Sequence, residues 1–401
     1  MPIPTQSPRP ARALRAFYIF VGLRWFRLTG ALWILFLLHV GWTLWQVGVA
    51  EALYHAVSFL SDIPTGAFAD RIGRRVSVAT GLALAAFMDL ALFLLAPGHV
   101  LLGSLVMGAT SLSWTFIGGA DAALLHSLSE MLPEGSAGYA RLYGRMDALG
   151  LISGALAAAL GGWLAVSSGW LWPYAGEAVA MALAIPFVLS LPKVSRPRAR
   201  PTGHARVLVR QVIDTIRVVK ERPGLLALVL FGAVLGVVAT SNHLYAQSTL
   251  TAKGLGIFGA TAIIGGADLL SAAASAGSYR FRGRLRALAV MAIVLALSVS
   301  GVGALPSLLA VAAYAVTAVG SGATDVLLVT ELNEWAPEKY RAGVLSIPSS
   351  LFSLGMIVAF PLEGWLMPRT GLGPVYAGLG LLLMLSLAAA FRGTAFRTRS
   401  A

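Results

Sequence analysis

The chain has 401 residues, of which 57% are hydrophobic and 12% charged, and its mean hydropathy is +0.79. A soluble domain is about half apolar and about a quarter charged, so this composition excludes an ordinary water-soluble fold. The absence of cysteine excludes disulfide frameworks, thiolate metal sites and cysteine nucleophiles.

Apolar runs of the ~20 residues needed to cross a bilayer as a helix recur along the chain. They fall at about 14–38, 43–67, 76–96, 99–126, 143–165, 169–191, 223–247, 256–277, 287–303, 307–331, 342–366 and 373–391. The residues before Leu14 are rich in Pro and Arg without a small-residue cleavage site, so the first span is expected to direct insertion itself. Within that span Arg24 and Arg27 stand one turn apart and demand an anion, either a protein carboxylate such as Glu51 or a charged group on a substrate. Snorkelling of the two arginines is the alternative if the span begins later.

In the second span Glu51, His55, Ser58 and Asp62 are spaced to share one helical face. Ionisable groups at membrane depth usually face a cavity or a partner, so the stripe reads as a proton-handling or cavity-lining face. Local hydrogen bonding, with Asp62 supporting the adjacent loop, is the structural alternative. The loop follows as Asp62-Ile-Pro-Thr-Gly66-Ala-Phe-Ala-Asp70-Arg71-Ile-Gly73-Arg74-Arg75. Asp70 can cap a helix or pair with an arginine, and Arg74 can reach an acid at the inner end of the fourth span, where Asp121 is the candidate. Other embedded acids are Asp89, Asp147, Glu177, Asp268 and Glu363, with Glu177 and Asp268 secondary candidates for coupling. The fifth span carries Gly150, Gly154, Gly161 and Gly162, small residues that let helices approach closely.

The polar stretch from Pro192 to Pro223 divides the chain. Its second part, with Val207, Val209, Val212, Ile213, Ile216 and Val219 among Arg210, Arg217 and Lys220, reads as an amphipathic helix on an anionic lipid surface. Residues 193–204 fit either that surface or a solvated linker. The expected division is therefore 1–191, a linker at 192–222, and 223–401.

The halves repeat. Gly118 to Glu134 aligns without a gap on Gly322 to Glu338, so that Asp121 matches Asp325, Glu130 matches Glu334 and Pro133 matches Pro337. Of the 30 Lys and Arg, nearly all fall in the tails or at alternate loops; Arg24, Arg27, Lys253 and Arg369 are the exceptions. That bias puts both termini in the cytoplasm, and it leaves no compact basic domain for nucleic acid. The loop repeats only weakly: Phe281 stands where Asp70 does, so a charge lock would be asymmetric.

The pattern Gly-x-x-x-Asp-Arg-x-Gly-Arg-Arg at 66–75 resembles the signature loop between the second and third helices of major facilitator superfamily transporters. With Ile-Pro-Thr-Gly, Ala-Leu-Leu at 123–125 and Tyr-Gly-Arg at 143–145, the chain is similar to a bacterial branch of drug or metabolite exporters. The resemblance implies an all-α inner-membrane protein of twelve helices in two pseudo-twofold halves, monomeric and working by alternating access. It assigns Gly66, Asp70, Arg71, Gly73, Arg74 and Asp121 to gating. Two departures accompany it: Ala155 replaces the usual proline of the fifth-helix export motif, and Ser104 stands where many proton-linked exporters carry an arginine.

No metal-ligand spacing among the histidines, nucleophile elbow or phosphate loop is present, so no enzyme site or cofactor is expected. The leading expectation is proton-coupled export of a small amphipathic molecule, with Trp25, Trp33, Tyr54, Trp114 and Tyr245 available to line a greasy cavity. Import or uniport of an anionic metabolite through Arg24 and Arg27 is the alternative. A membrane enzyme or lipid-binding scaffold is the remote one.

Overall fold

The computed structural model describes residues 10–118, 120–131, 138–192, 205–281 and 285–395. These form fifteen α-helices, with no strand among the described residues. Ten helices are long and apolar enough to cross a membrane. The other two spans of the twelve-helix fold are the first, which is broken, and the second, whose Glu51, His55 and Asp62 make it more polar.

The chain forms two compact units, 1–195 with 256–265, and 196–255 with 266–401. In the first, α1 (Pro10–Trp25) and α2 (Trp33–His39) make up the broken span. They are followed by α3 (Leu44–Ile72), α4 (Arg74–Leu95), α5 (Val100–Ile117), α6 (Ala120–Ser129), α7 (Tyr139–Ser167) and α8 (Leu171–Ser190). Thr43 begins α3 with a reciprocal cap: its hydroxyl accepts from the Gln46 N–H and the Gln46 side chain accepts from the Thr43 N–H. Gly73 separates α3 from α4 with φ 95°, a conformation that favours glycine. The core joins Phe17, Phe20 and Val21 of α1 to Leu82 of α4, Leu125 of α6 and Met181 of α8.

Two spans expected to be continuous are interrupted. The first breaks between Trp25 and Trp33, because the Thr29 N–H is drawn away from the helix to the Glu177 carboxylate at 2.7 Å. Arg24 therefore lies in the last turn of α1 and Arg27 in the break; they are not neighbours in the middle of one helix. The fourth span breaks at Gly118, whose φ −54° and ψ 130° are extended. The repeat does not carry this feature, since its counterpart Gly322 lies inside the continuous α13. There glycine serves close packing instead: a Cβ at Gly322 would overlap the Ser271 carbonyl oxygen.

The second unit contains α9 (Ala205–Lys220), α10 (Pro223–Ala252), the greater part of α11 (Ile257–Ser278), α12 (Leu285–Ala304), α13 (Ser307–Trp335), α14 (Arg341–Thr370) and α15 (Leu372–Ala395). The linker helix α9 packs on α10 and α14, burying Thr215 against Gly343 and also burying Val219, while Ile213 and Ile216 stay exposed. The side chains of Val207, Val209, Arg210 and Val212, residues 193–204 and the Pro133–Glu134 end of the repeat lie outside the described residues.

Candidate functional site

A charge cluster occupies the first unit where the broken span meets α8. Glu177 is the anchor, with its side chain 1% exposed. Its Oε1 accepts from Arg27 Nε at 3.3 Å, and its Oε2 accepts from the Thr29 N–H at 2.7 Å and the Thr29 hydroxyl at 2.6 Å. The Arg27 guanidinium lies over the Trp114 ring, 4.5 Å from its centroid. Three donors, one of them carrying the opposite charge, fix the Glu177 carboxylate in place and seat the break.

Arg24 is buried and pairs with Asp121 in the first turn of α6, where a carboxylate also complements the helix dipole. The partners of the two arginines are thus Asp121 and Glu177. Glu51 faces His55 instead, with 3.4 Å between carboxylate and ring nitrogen, and both are buried. Asp121 is therefore engaged inside the unit, in a contact its proposed place in a gating lock did not anticipate.

The polar stripe of α3 splits by depth. Glu51 and His55 are enclosed, whereas Asp62 is exposed and lines a pocket of about 330 Å³ with Ser58, Thr65, Gly66, Trp114 and Phe116. Asp70 and Arg71 follow at the exposed end of α3, and Arg74 opens α4. Asp70 has no hydrogen bond or ion pair to a described residue. Arg75 reaches further, donating to the Leu189 carbonyl at 2.8 Å and to the Leu191 carbonyl, and so satisfies the end of α8.

The second unit holds a smaller pocket of about 220 Å³ among α10, α11 and α13, lined by Thr240, Asn242, His243, Asp268, Tyr314 and Thr317 among others. His243 Nδ1 lies 3.6 Å from Asp268 and 3.2 Å from the Tyr314 hydroxyl. Both His243 and Asp268 keep about two-fifths of their side chains exposed, at 41% and 40%. Buried Asn242 leaves its Oδ1 without a protein partner. Nearby on α14, Glu363 accepts from Ser241 at 3.0 Å.

Sequence reasoning singled out Arg24, Arg27, Glu177 and Asp268 but missed Thr29, Tyr174 and His243. Tyr174 carried a usable signal, since it precedes Glu177 by three residues on one face of α8. Thr29 carried none, because its role depends on the helix breaking.

The family model for the Major Facilitator Superfamily matches residues 16–308. No curated protein matches the chain in sequence. Among solved structures, a mutant of the nucleoside transporter NupG aligns with TM-score 0.79 at 15% identity, over 96% of this chain and 99% of that one. A bacterial homologue of the human lysosomal transporter Spinster, inward-facing and occupied, gives 0.73 at 15% identity, over 97% and 98%. A D-xylose–proton symporter gives 0.72 at 13% identity, over 95% and 96%. Identities this low speak for a common fold and leave the cargo of each protein its own. With the family match covering most of the chain and the fold shared almost end to end, the protein belongs to the major facilitator superfamily and is a multi-pass membrane transporter.

Proposed function

We propose that the protein is a proton-coupled exporter of a small amphipathic organic molecule, neutral or cationic, working by alternating access in a bacterial inner membrane. The observation that carries this reading is the charge of the two pockets. Each is lined by one carboxylate, Asp62 or Asp268, and by neither lysine nor arginine. An anionic cargo would need a cation there, and the arginines that might have supplied one are engaged by Asp121 and Glu177. This argues against the anionic-metabolite alternative.

Aromatic Trp114 and Phe116 in the first pocket, and Tyr314 in the second, suit a cargo with an apolar body. His243 beside Asp268 sets an imidazole and a carboxylate at the wall of the second pocket, where Asp268 can receive a polar or cationic group of the cargo. In this reading Gly66, Asp70, Arg71, Gly73 and Arg74 belong to the gate, and Asp70 is free to find its partner in another state of the cycle. Both termini face the cytoplasm, and a single chain is the working unit.

The test is accumulation of ethidium in liposomes with an imposed pH gradient. Gradient-dependent accumulation, lost in Asp268→Asn, is the expected result; flux indifferent to the gradient removes proton coupling. Asp70→Asn is expected to slow transport severalfold while leaving thermal melting unchanged. A variant that transports at the wild-type rate would take Asp70 out of the gate.

A further inference from the structure

Among the described residues, the buried acidic and basic side chains of the first unit are paired, with one exception. Arg24 has Asp121, Glu51 has His55, and Glu177 has Arg27 and Thr29. Asp89, on α4, does not fit the scheme. It is 8% exposed, and its Oδ2 is sealed from solvent with no hydrogen-bond partner.

Asp89 lies within electrostatic range of both Glu177 and Arg27, so one guanidinium serves two carboxyl groups. Glu177 already takes that guanidinium and both Thr29 donors. Tyr174, one turn before Glu177 on α8, is also within range of Asp89, and its buried hydroxyl is likewise without a partner. Its ring packs against Phe36 and Phe93, with centroids at 4.8 Å and 5.8 Å, which gives the site an apolar wall.

No charged side chain on the other helices packed on α4 makes a hydrogen bond or ion pair with Asp89. Helix α5 has no ionisable side chain. Helix α3 carries Glu51 and His55, which face each other, Tyr54, and in its second half Asp62, Asp70 and Arg71, none of which pairs with Asp89. Helix α6 presents Asp121, paired with Arg24, and His126, which faces Glu130 at 3.6 Å. A carboxylate this deeply buried, with one oxygen sealed from solvent and no hydrogen bond to either, is costly to keep ionised, and such a group takes up a proton.

We infer that Asp89 is a proton-binding site enclosed between α4 and α8, and that its carboxyl group, not that of Glu177, carries the coupling proton. The second part rests on the proton-coupled reading above; the first does not. Binding is a simple exchange, in which a carboxylate and a proton become a carboxylic acid. Glu177 already has three donors in place, whereas Asp89 can ionise once the enclosure opens and water reaches Oδ2.

Infrared difference spectroscopy of the purified full-length protein between acid and alkaline pH tests the site directly. Wild type is expected to show the carbonyl stretch of a buried protonated carboxyl group, and Asp89→Asn to lack that band. A band unchanged in Asp89→Asn, or none in the wild type, overturns the site. Should Asp89→Asn fail to elute as a monodisperse species, Asp89→Glu is expected to keep the band at a shifted frequency; an unshifted band has the same negative meaning.

Ethidium accumulation under a pH gradient then tests the carrier role. Asp89→Asn is expected to fall to the level of protein-free liposomes. Retained accumulation in the variant overturns the role of Asp89, while absence of gradient-driven accumulation in the wild type overturns the proton-coupled reading and leaves the infrared result standing.

Discussion

Replacing Glu177 with leucine is expected to cost about 3 kcal/mol of stability. Breaking a buried ion pair costs about 3 to 5 kcal/mol because the surviving charge is stranded. The Thr29 N–H adds about 1 to 3 kcal/mol when its acceptor is removed, since the break in the first span leaves it no helical alternative. Two features reduce the sum. The Arg27 side chain keeps 35% of its surface exposed, so its charge retains some solvation. Asp89 stands within range of Arg27 and can ionise to replace the lost carboxylate. Thermal melting in detergent reads the loss, and two double variants apportion it. Glu177→Leu with Arg27→Leu should recover the ion-pair part and leave the Thr29 part. Glu177→Leu with Asp89→Asn should melt lower than Glu177→Leu alone. Failure of both would mean that the cluster does not hold the break.

The fold was legible in the sequence to the extent that hydropathy governs it. Twelve apolar runs, the polar stretch after Pro192 and the internal repeat report long-range periodicity, which a single chain displays openly. The loop read at 66–75 shrinks to Gly73, because α3 runs on through Gly66 to Ile72 and α4 begins at Arg74. Breaks within spans were illegible for a physical reason. The interruption at Thr29 is held by a carboxylate 148 residues away, and nothing local to Thr29 announces it. The break at Gly118 is equally hidden, because the aligned Gly322 lies within an intact helix.

Pairings were harder still. Arg24 and Arg27 stand three residues apart, yet one turns to α6 and the other to α8, because the chain changes direction between them. The need for carboxylate partners was readable from residue type and depth; their identity required the packing of α1, α6 and α8. The same limit explains why Asp89 stood out so little from Asp147 or Glu363 in the sequence. An unpartnered atom is a property of the surroundings.

Glycine content in α7 marks close helix approach without saying which glycine bears the contact, and Gly150, Gly154, Gly161 and Gly162 should differ in the cost of a methyl group. Gly161→Ala is expected to cost about 3 kcal/mol, at the upper end of overpacking losses, because the new Cβ would overlap the Leu28 carbonyl oxygen and lie 2.9 Å from its carbon. Those are backbone atoms and cannot rotate away.

Gly162→Ala is expected to cost less, since its overlap is mainly with the Thr261 side chain, although the Phe258 Cα lies 3.2 Å away. At Gly150 the obstacle is the Trp25 ring, at 2.9 Å, which has some freedom to shift. Gly154→Ala should be neutral or stabilising by up to about 1 kcal/mol: its nearest neighbour is the Trp25 carbonyl at an ordinary 3.7 Å, and alanine is the better helix former. Melting of the four variants should therefore rank Gly161→Ala lowest and Gly154→Ala highest.

The position of Leu28 gives the first of these a functional consequence. It sits between Arg27 and Thr29, so a methyl group that lifts α7 from Leu28 also disturbs the seat of Glu177. Transport by Gly161→Ala should consequently fall below that of Gly154→Ala even at temperatures where both remain folded. Equal rates would show that the broken span tolerates displacement at Leu28 and would confine the role of Gly161 to packing.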